Sequence, residues 1–175
     1  MFPSYLLPPP VPPWDGIHPV LVHFPIALLL VSPLFVLLGF LPKIGRGFAL
    51  AGLVLLALAT IAAYLAVDAG EDAADLVERT PEISRVLEQH ADLGESVPVI
   101  YTILTPIYAL VLFGPALLLK LKLLKKTLPR AVPLTAQIVI LVALLVCSMV
   151  VANTGELGGR LVHELGVRAW MGGGK

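Results

Sequence analysis

The sequence predicts an all-α integral membrane protein, a four-helix bundle with a short amphipathic helix on its outer face. Three observations predict it. Of 175 residues, 58% are hydrophobic and only 14% charged, where a soluble domain has about 45–50% apolar and about 25% charged residues. Charged residues leave four uninterrupted gaps, residues 24–42, 47–67, 96–119 and 131–155, which are 19, 21, 24 and 25 residues long. A hydrocarbon core of about 30 Å takes about 20 helical residues to cross. Strand-like alternation of polar and apolar positions is absent from these gaps, and helices satisfy every backbone group in lipid.

Each element has its own justification. Residues 1–17 read as an extracytoplasmic proline-rich arm: positions 1–14 carry six prolines and no positive charge, a polyproline-like segment and not a cleavable signal. Residues 18–168 form the four-span domain, and residues 169–175, ending in three glycines and Lys175, read as a frayed tail. Prolines inside the spans, such as Pro25, Pro33, Pro98 and Pro106, are tolerated in membrane helices as kinks. The short helix covers residues 81–94. Thr80 is its N-cap, Pro81 its first residue and Glu82 part of its first turn. Its apolar stripe, Ile83, Val86, Leu87 and Leu93, is completed by His90, which therefore faces the bundle. The sequence offers no defensible internal repeat, and at most a distant echo of spans one and two in spans three and four.

Charge placement sets the orientation. The connections between spans one and two and between three and four hold seven basic residues and no acid; the other side holds all twelve acids and five bases. Basic loops stay in the cytoplasm, so both termini and the connection around residues 68–95 lie outside. Lys120, Lys122, Lys125 and Lys126 read as a topology anchor on anionic lipid. A formal net charge of zero excludes a basic nucleic-acid binder. Cys147, the single cysteine, lies in an apolar run and reads as a small buried hydrophobe.

All four histidines, His18, His23, His90 and His163, fall on the outer side. His18 and His90 each stand six residues before an uncharged run, about 9 Å above it at 1.5 Å per residue, so the two are level. His23 sits about one and a half turns deeper than His18, where an imidazole is costly unless paired or bound; it is read as turned inward with His90. His163 follows Asn153, Thr154, Gly155, Gly158 and Gly159, which are expected to turn the chain and whose glycines permit close approach of a flat ligand or another backbone. Neutral imidazole ligates haem iron, zinc and copper, and a bis-histidine pair on facing helices commonly holds haem. His18 with His90, or His23 with His163, is the expected pairing. Asp68 and Tyr64, at the end of span two, are candidates to orient a ligating ring. Arg160 and Arg168 are candidates to pair with haem propionates. The sequence shows no nucleophile with a histidine and acid at recognisable spacing, no phosphate-binding glycine loop and no Cys-x-x-Cys-His haem attachment site.

Three motifs carry a family resemblance. They are His18-Pro19-Val20-Leu21-Val22-His23-Phe24-Pro25-Ile26-Ala27, Glu88-Gln89-His90-Ala91-Asp92-Leu93-Gly94 and Thr154-Gly155-Glu156-Leu157-Gly158-Gly159-Arg160-Leu161-Val162-His163. Together they resemble the bacterial four-span membrane domain known as domain-of-unknown-function family 2231, over about residues 15–168. Relatives often occur beside or fused to Rieske iron–sulfur or cytochrome-type domains. The resemblance thus implies membrane redox work, a b-type haem, other membrane or extracytoplasmic redox subunits as partners, and the bacterial inner membrane as the location. The leading expectation is an electron-transfer subunit that binds haem b through the outer-face histidines. The alternatives are a zinc or copper site made by three or four of the same histidines, or a cofactor-free structural subunit whose small residues, such as Gly52 and Ala59, support tight helix contacts.

Overall fold

The computed structural model describes residues 11–123, 126–129 and 131–168. Every regular element among the described residues is helical: α1 (Trp14–Leu21), α2 (His23–Leu38), α3 (Gly45–Ala74), α4 (Pro81–Lys120) and α5 (Ala131–His163). Four spans are long and apolar enough to cross a membrane, with α1 and α2 together forming the first. The glycine-rich tail and most of the proline-rich arm lie outside the described residues.

Proline shapes the first span. Pro25 has no N–H to offer the carbonyl four residues back, so α1 stops at Leu21 and α2 begins at His23. Val22 keeps helical dihedrals between them and donates its N–H to the His18 carbonyl at 3.1 Å. Pro33 likewise leaves the Leu29 carbonyl without its usual partner, and the Ser32 hydroxyl donates to it at 3.0 Å.

Around the bundle α2 packs on α3, α3 on α4, α4 on α5, and α5 closes back onto α2, while α1 lies against α3. Lipid tails are as apolar as leucine, so contact between spans depends on close packing more than on any hydrophobic drive. The inward stripe of α3, Gly52, Leu56, Ala59, Ala63, Ala66 and Gly70, is mostly small. A Cβ on Gly52 would meet Phe35 Cβ at 3.3 Å, so Gly52 serves a contact inside the bundle. Leu29, Leu56, Tyr101, Tyr108 and Leu144 fill the middle. Large aliphatic side chains such as Val54, Ile61, Ile103 and Val146 point outward, as a lipid-facing surface requires.

Beyond the spans, α4 and α5 continue together. The N–H of Ile83 donates to the Thr80 hydroxyl at 3.2 Å, and from Pro81 the helix runs unbroken for 40 residues. That is about 60 Å, about twice the hydrocarbon thickness. The amphipathic segment over residues 81–94 is thus the outward continuation of the third span. Its stripe, Val86 and Leu87, packs on Leu157 and Leu161 of α5 in a second small core, where water is present and apolar burial is itself a driving force. The chain does not turn at residues 153–159, contrary to the sequence expectation: α5 passes straight through them to His163. The Thr154 hydroxyl bonds back to the Val150 carbonyl at 2.9 Å, and packing against α4 holds the glycines helical. The reversal comes later, at Gly166, whose φ of 70° lets the Val167 N–H reach the Leu161 carbonyl at 2.8 Å.

Replacing Thr80 with alanine is expected to cost about 1 kcal/mol of local stability. Hydrogen exchange should quicken at the amides of the first turn of α4 and stay unchanged past Val97. Acceleration along the whole helix would show that the cap does more than close its end.

Candidate functional site

His18 reaches from α1 to α3, where its Nδ1 lies 2.7 Å from the Ala66 carbonyl oxygen. His90 reaches from α4 to α5, with Nδ1 3.0 Å from the Thr154 carbonyl oxygen. A carbonyl oxygen only accepts, so in both rings Nδ1 carries a proton and donates, which leaves Nε2 of the neutral ring with its lone pair free.

One local device holds both rings. Residues i and i+4 of a helix lie one above the other, and the side chain at i+4 leans back over the carbonyl of residue i. Four residues after Ala66 stands Gly70; four residues after Thr154 stands Gly158. A Cβ on Gly70 would lie 2.8 Å from both Cε1 and Nδ1 of His18, and one on Gly158 would lie 3.0 Å from His90 Cε1. Each imidazole therefore occupies the space of a missing side chain. The two rings face each other at a centroid distance of 6.2 Å with perpendicular planes.

Beside this pair lies a cavity of about 360 Å³. His18, His23, His90 and His163 all line it, and apart from Thr154 every other lining residue is aliphatic, proline or glycine. Among the described residues no carboxylate, lysine or arginine side chain lines it. His18 and His90 are half-buried, whereas His23 and His163 are exposed at the rim. His23 is thus not turned inward. Five residues separate it from His18, about 140° around a helix of 3.6 residues per turn, so burying one ring turns the other out. Among the described residues, no three of His, Cys, Asp or Glu are placed to hold one metal ion.

The residues expected to support the rings lie elsewhere. Asp68 accepts from the Trp14 indole N–H at 3.1 Å and pins α1 to α3. Tyr64 shares a hydrogen bond with Thr102 at 3.1 Å across the contact between α3 and α4. Backbone carbonyls take the role assigned to these two side chains. Arg160 donates to Glu164 at 3.1 Å and lies 4.0 Å from Glu156, and Arg168 is exposed past the end of α5; neither lines the cavity. Ala66, Gly70 and the carbonyl of Thr154 were not singled out from sequence. The signal was present: an acid two residues on and a glycine four residues on follow both Ala66 and Thr154, as Asp68 and Gly70 and as Glu156 and Gly158.

No curated protein and no solved structure matches this chain. A family model does. The model for DUF2231, described as a predicted membrane protein, covers residues 15–170, which contain the four histidines and all five helices but for the first residue of α1, and the chain belongs to that family.

Proposed function

We propose that this protein is a membrane electron-transfer subunit that holds haem b between His18 and His90. The paired rings carry the reading. Two neutral imidazoles that face each other closely from different helices could together hold one haem iron. The observed centroid separation is 6.2 Å. A metal-ligating histidine typically gives its other N–H to a carboxylate or backbone carbonyl, which fixes tautomer and ring orientation; Ala66 and Thr154 do this here.

The residues present fit a planar macrocycle better than a bare ion. Structural zinc takes four ligands and catalytic zinc three from the protein, and no such group occurs among the described residues. A lone ion has no use for an apolar cavity, whereas pockets for organic cofactors are typically about 300–1,000 Å³ and mostly apolar. When bound, the haem iron would supply a one-electron couple. His18 and His90 would hold the iron, and the aliphatic lining would exclude water and lower the local dielectric around it.

Location follows from charge. Basic side chains at the opposite end of the bundle favour a cytoplasmic position for that end, which turns the histidine end outward in a bacterial inner membrane. A membrane quinone and an extracytoplasmic redox protein are the partner classes such a position serves.

The test is a reduced-minus-oxidised absorption spectrum of protein purified in mild detergent from cells supplied with haem precursor, with elemental analysis of the same sample. A sharp haem band with about one iron per chain, brought up by a quinol and bleached by an oxidant, is the expected result. A colourless, iron-free protein overturns the reading, and stoichiometric zinc or copper in that sample would establish metal handling in its place.

A further inference from the structure

Inward-facing positions of the two halves of the bundle correspond. A shift of 88 positions carries Gly52, Leu56, Ala63 and Gly70 of α3 onto Ile140, Leu144, Val151 and Gly158 of α5. A shift of 72 carries His18, Leu29 and Val36 onto His90, Tyr101 and Tyr108. All of these are buried or half-buried in both halves, and the histidine–carbonyl–glycine device recurs under the same shifts.

Equivalence fails at the seams. Between α3 and α4, the Thr60 and Thr105 hydroxyls lie 3.4 Å apart, and Tyr64 bonds Thr102 at 3.1 Å. The same shifts place Ser148 and Pro33, then Ala152 and Leu30, at the corresponding positions between α5 and α2. Ser148 donates to its own helix at Leu144 (2.9 Å). Pro33 has no hydroxyl, and Ala152 is too short to bridge. One seam is fastened by side chains and the other is not.

The cavity opens at the unfastened seam. Its exposed lining residues, Pro19, His23, Gly155, Val162 and His163, all belong to α1, α2 or α5, whereas its α3 and α4 residues are buried or half-buried. The floor of this slit, Ile26, Leu29 and Val151, lies in the uncharged runs 24–42 and 131–155, at hydrocarbon depth; of the exposed lining Gly155 ends the second run and His23 stands one residue before the first, so the mouth begins at the outer edge of the hydrocarbon.

We propose that the seam between α2 and α5 is a lateral portal through which a flat, lipid-soluble ligand dissolved in the bilayer reaches the imidazole pair. An opening walled by aliphatic side chains, glycine and proline admits an apolar ring system without desolvating a charge, and α3 and α4 form its back wall. The proposal rests on the cavity being a ligand site, as read above, and is independent of which ligand fills it.

Accessibility tests it. In full-length protein in phospholipid nanodiscs, Cys147→Ala removes the native thiol and Val97→Cys puts one on the back wall of the cavity. A lipid-soluble N-alkyl maleimide should label this cysteine at least about tenfold faster than a charged, membrane-impermeant one. Ala152→Tyr with Leu30→Thr copies the fastened seam, and Gly155→Leu fills the slit from the α5 side, where a Cβ meets nothing within 4 Å. Each should slow the lipid-soluble reagent about tenfold, with unchanged helix content and melting. If the charged reagent is the faster one, or if correctly folded versions of both seam variants label like the parent, the cavity opens to water and the portal is refuted. Haemin uptake by apo-protein is measured in parallel. Failure of the parent to take up haemin while labelling follows the seam would refute the macrocycle and uphold the portal; haemin uptake with labelling indifferent to the seam would do the reverse.

Discussion

Alanine at either His18 or His90 is expected to abolish the haem band proposed for the purified protein. The loss of affinity should exceed the roughly 100-fold that removal of a supporting partner can cost, because a ring that would hold the iron is itself gone. Two rings acting on one metal form a unit. The double variant should therefore be no worse than either single variant, a non-additivity that double-mutant cycles detect. His23→Ala and His163→Ala provide the contrast. Both rings are exposed at the rim of the cavity, so each variant should keep its pigment with iron content near that of the parent. A parent that holds pigment and keeps it after loss of His18 and His90 together would place the ligands elsewhere.

The second large effect should come from adding a single methyl group. In Gly70→Ala the new Cβ would stand 2.8 Å from the His18 ring, and in Gly158→Ala 3.0 Å from the His90 ring. Imidazole is rigid, so the His18 ring must shift from its place against Ala66, and the His90 ring must give by a few tenths of an ångström against Thr154, which weakens both bonds. Loss of such a supporting contact typically costs about 10–100-fold in affinity, and the altered ring orientation should also shift the midpoint potential of whatever pigment remains. Gly47→Ala is the control. Nothing lies within 4 Å of its Cβ, and alanine is the better helix former by about 0.5–1 kcal/mol, so cofactor content should hold and stability should rise slightly. Equal behaviour of all three variants would mean that the two glycines do not seat the rings. Similar losses at Gly70 and Gly158 would in addition confirm that the two halves use one device.

The architecture was largely written in local sequence patterns. Uncharged runs of span length, the clean separation of acids from bases, and the Thr80-Pro81-Glu82 start of α4 each express a preference that neighbouring residues settle among themselves. The level placement of His18 and His90 also follows from counting along two helices. Local patterns failed where a neighbouring helix overrules them. Asn153, Thr154, Gly155, Gly158 and Gly159 read as a turn by composition, yet packing against α4 keeps them helical, and Gly158 is small because a histidine from α4 occupies its place. Asp68 and Tyr64 had suitable chemistry and position along the chain, but they point to Trp14 and Thr102 instead of to a ring.

The sequence by itself determined a four-span helical membrane protein with its histidines gathered at the acidic end, because span length and charge are properties of contiguous residues. Only the tertiary structure decided that His18 faces His90, that Ala66 and Thr154 hold them, that His23 turns outward, and that one seam of two is left unfastened. Those outcomes depend on contacts between residues 48 and 64 positions apart. Such contacts are fixed by how whole helices rotate and close on one another, and a carbonyl oxygen or the empty place of a glycine side chain leaves little mark in the sequence until a partner is seen to fill it.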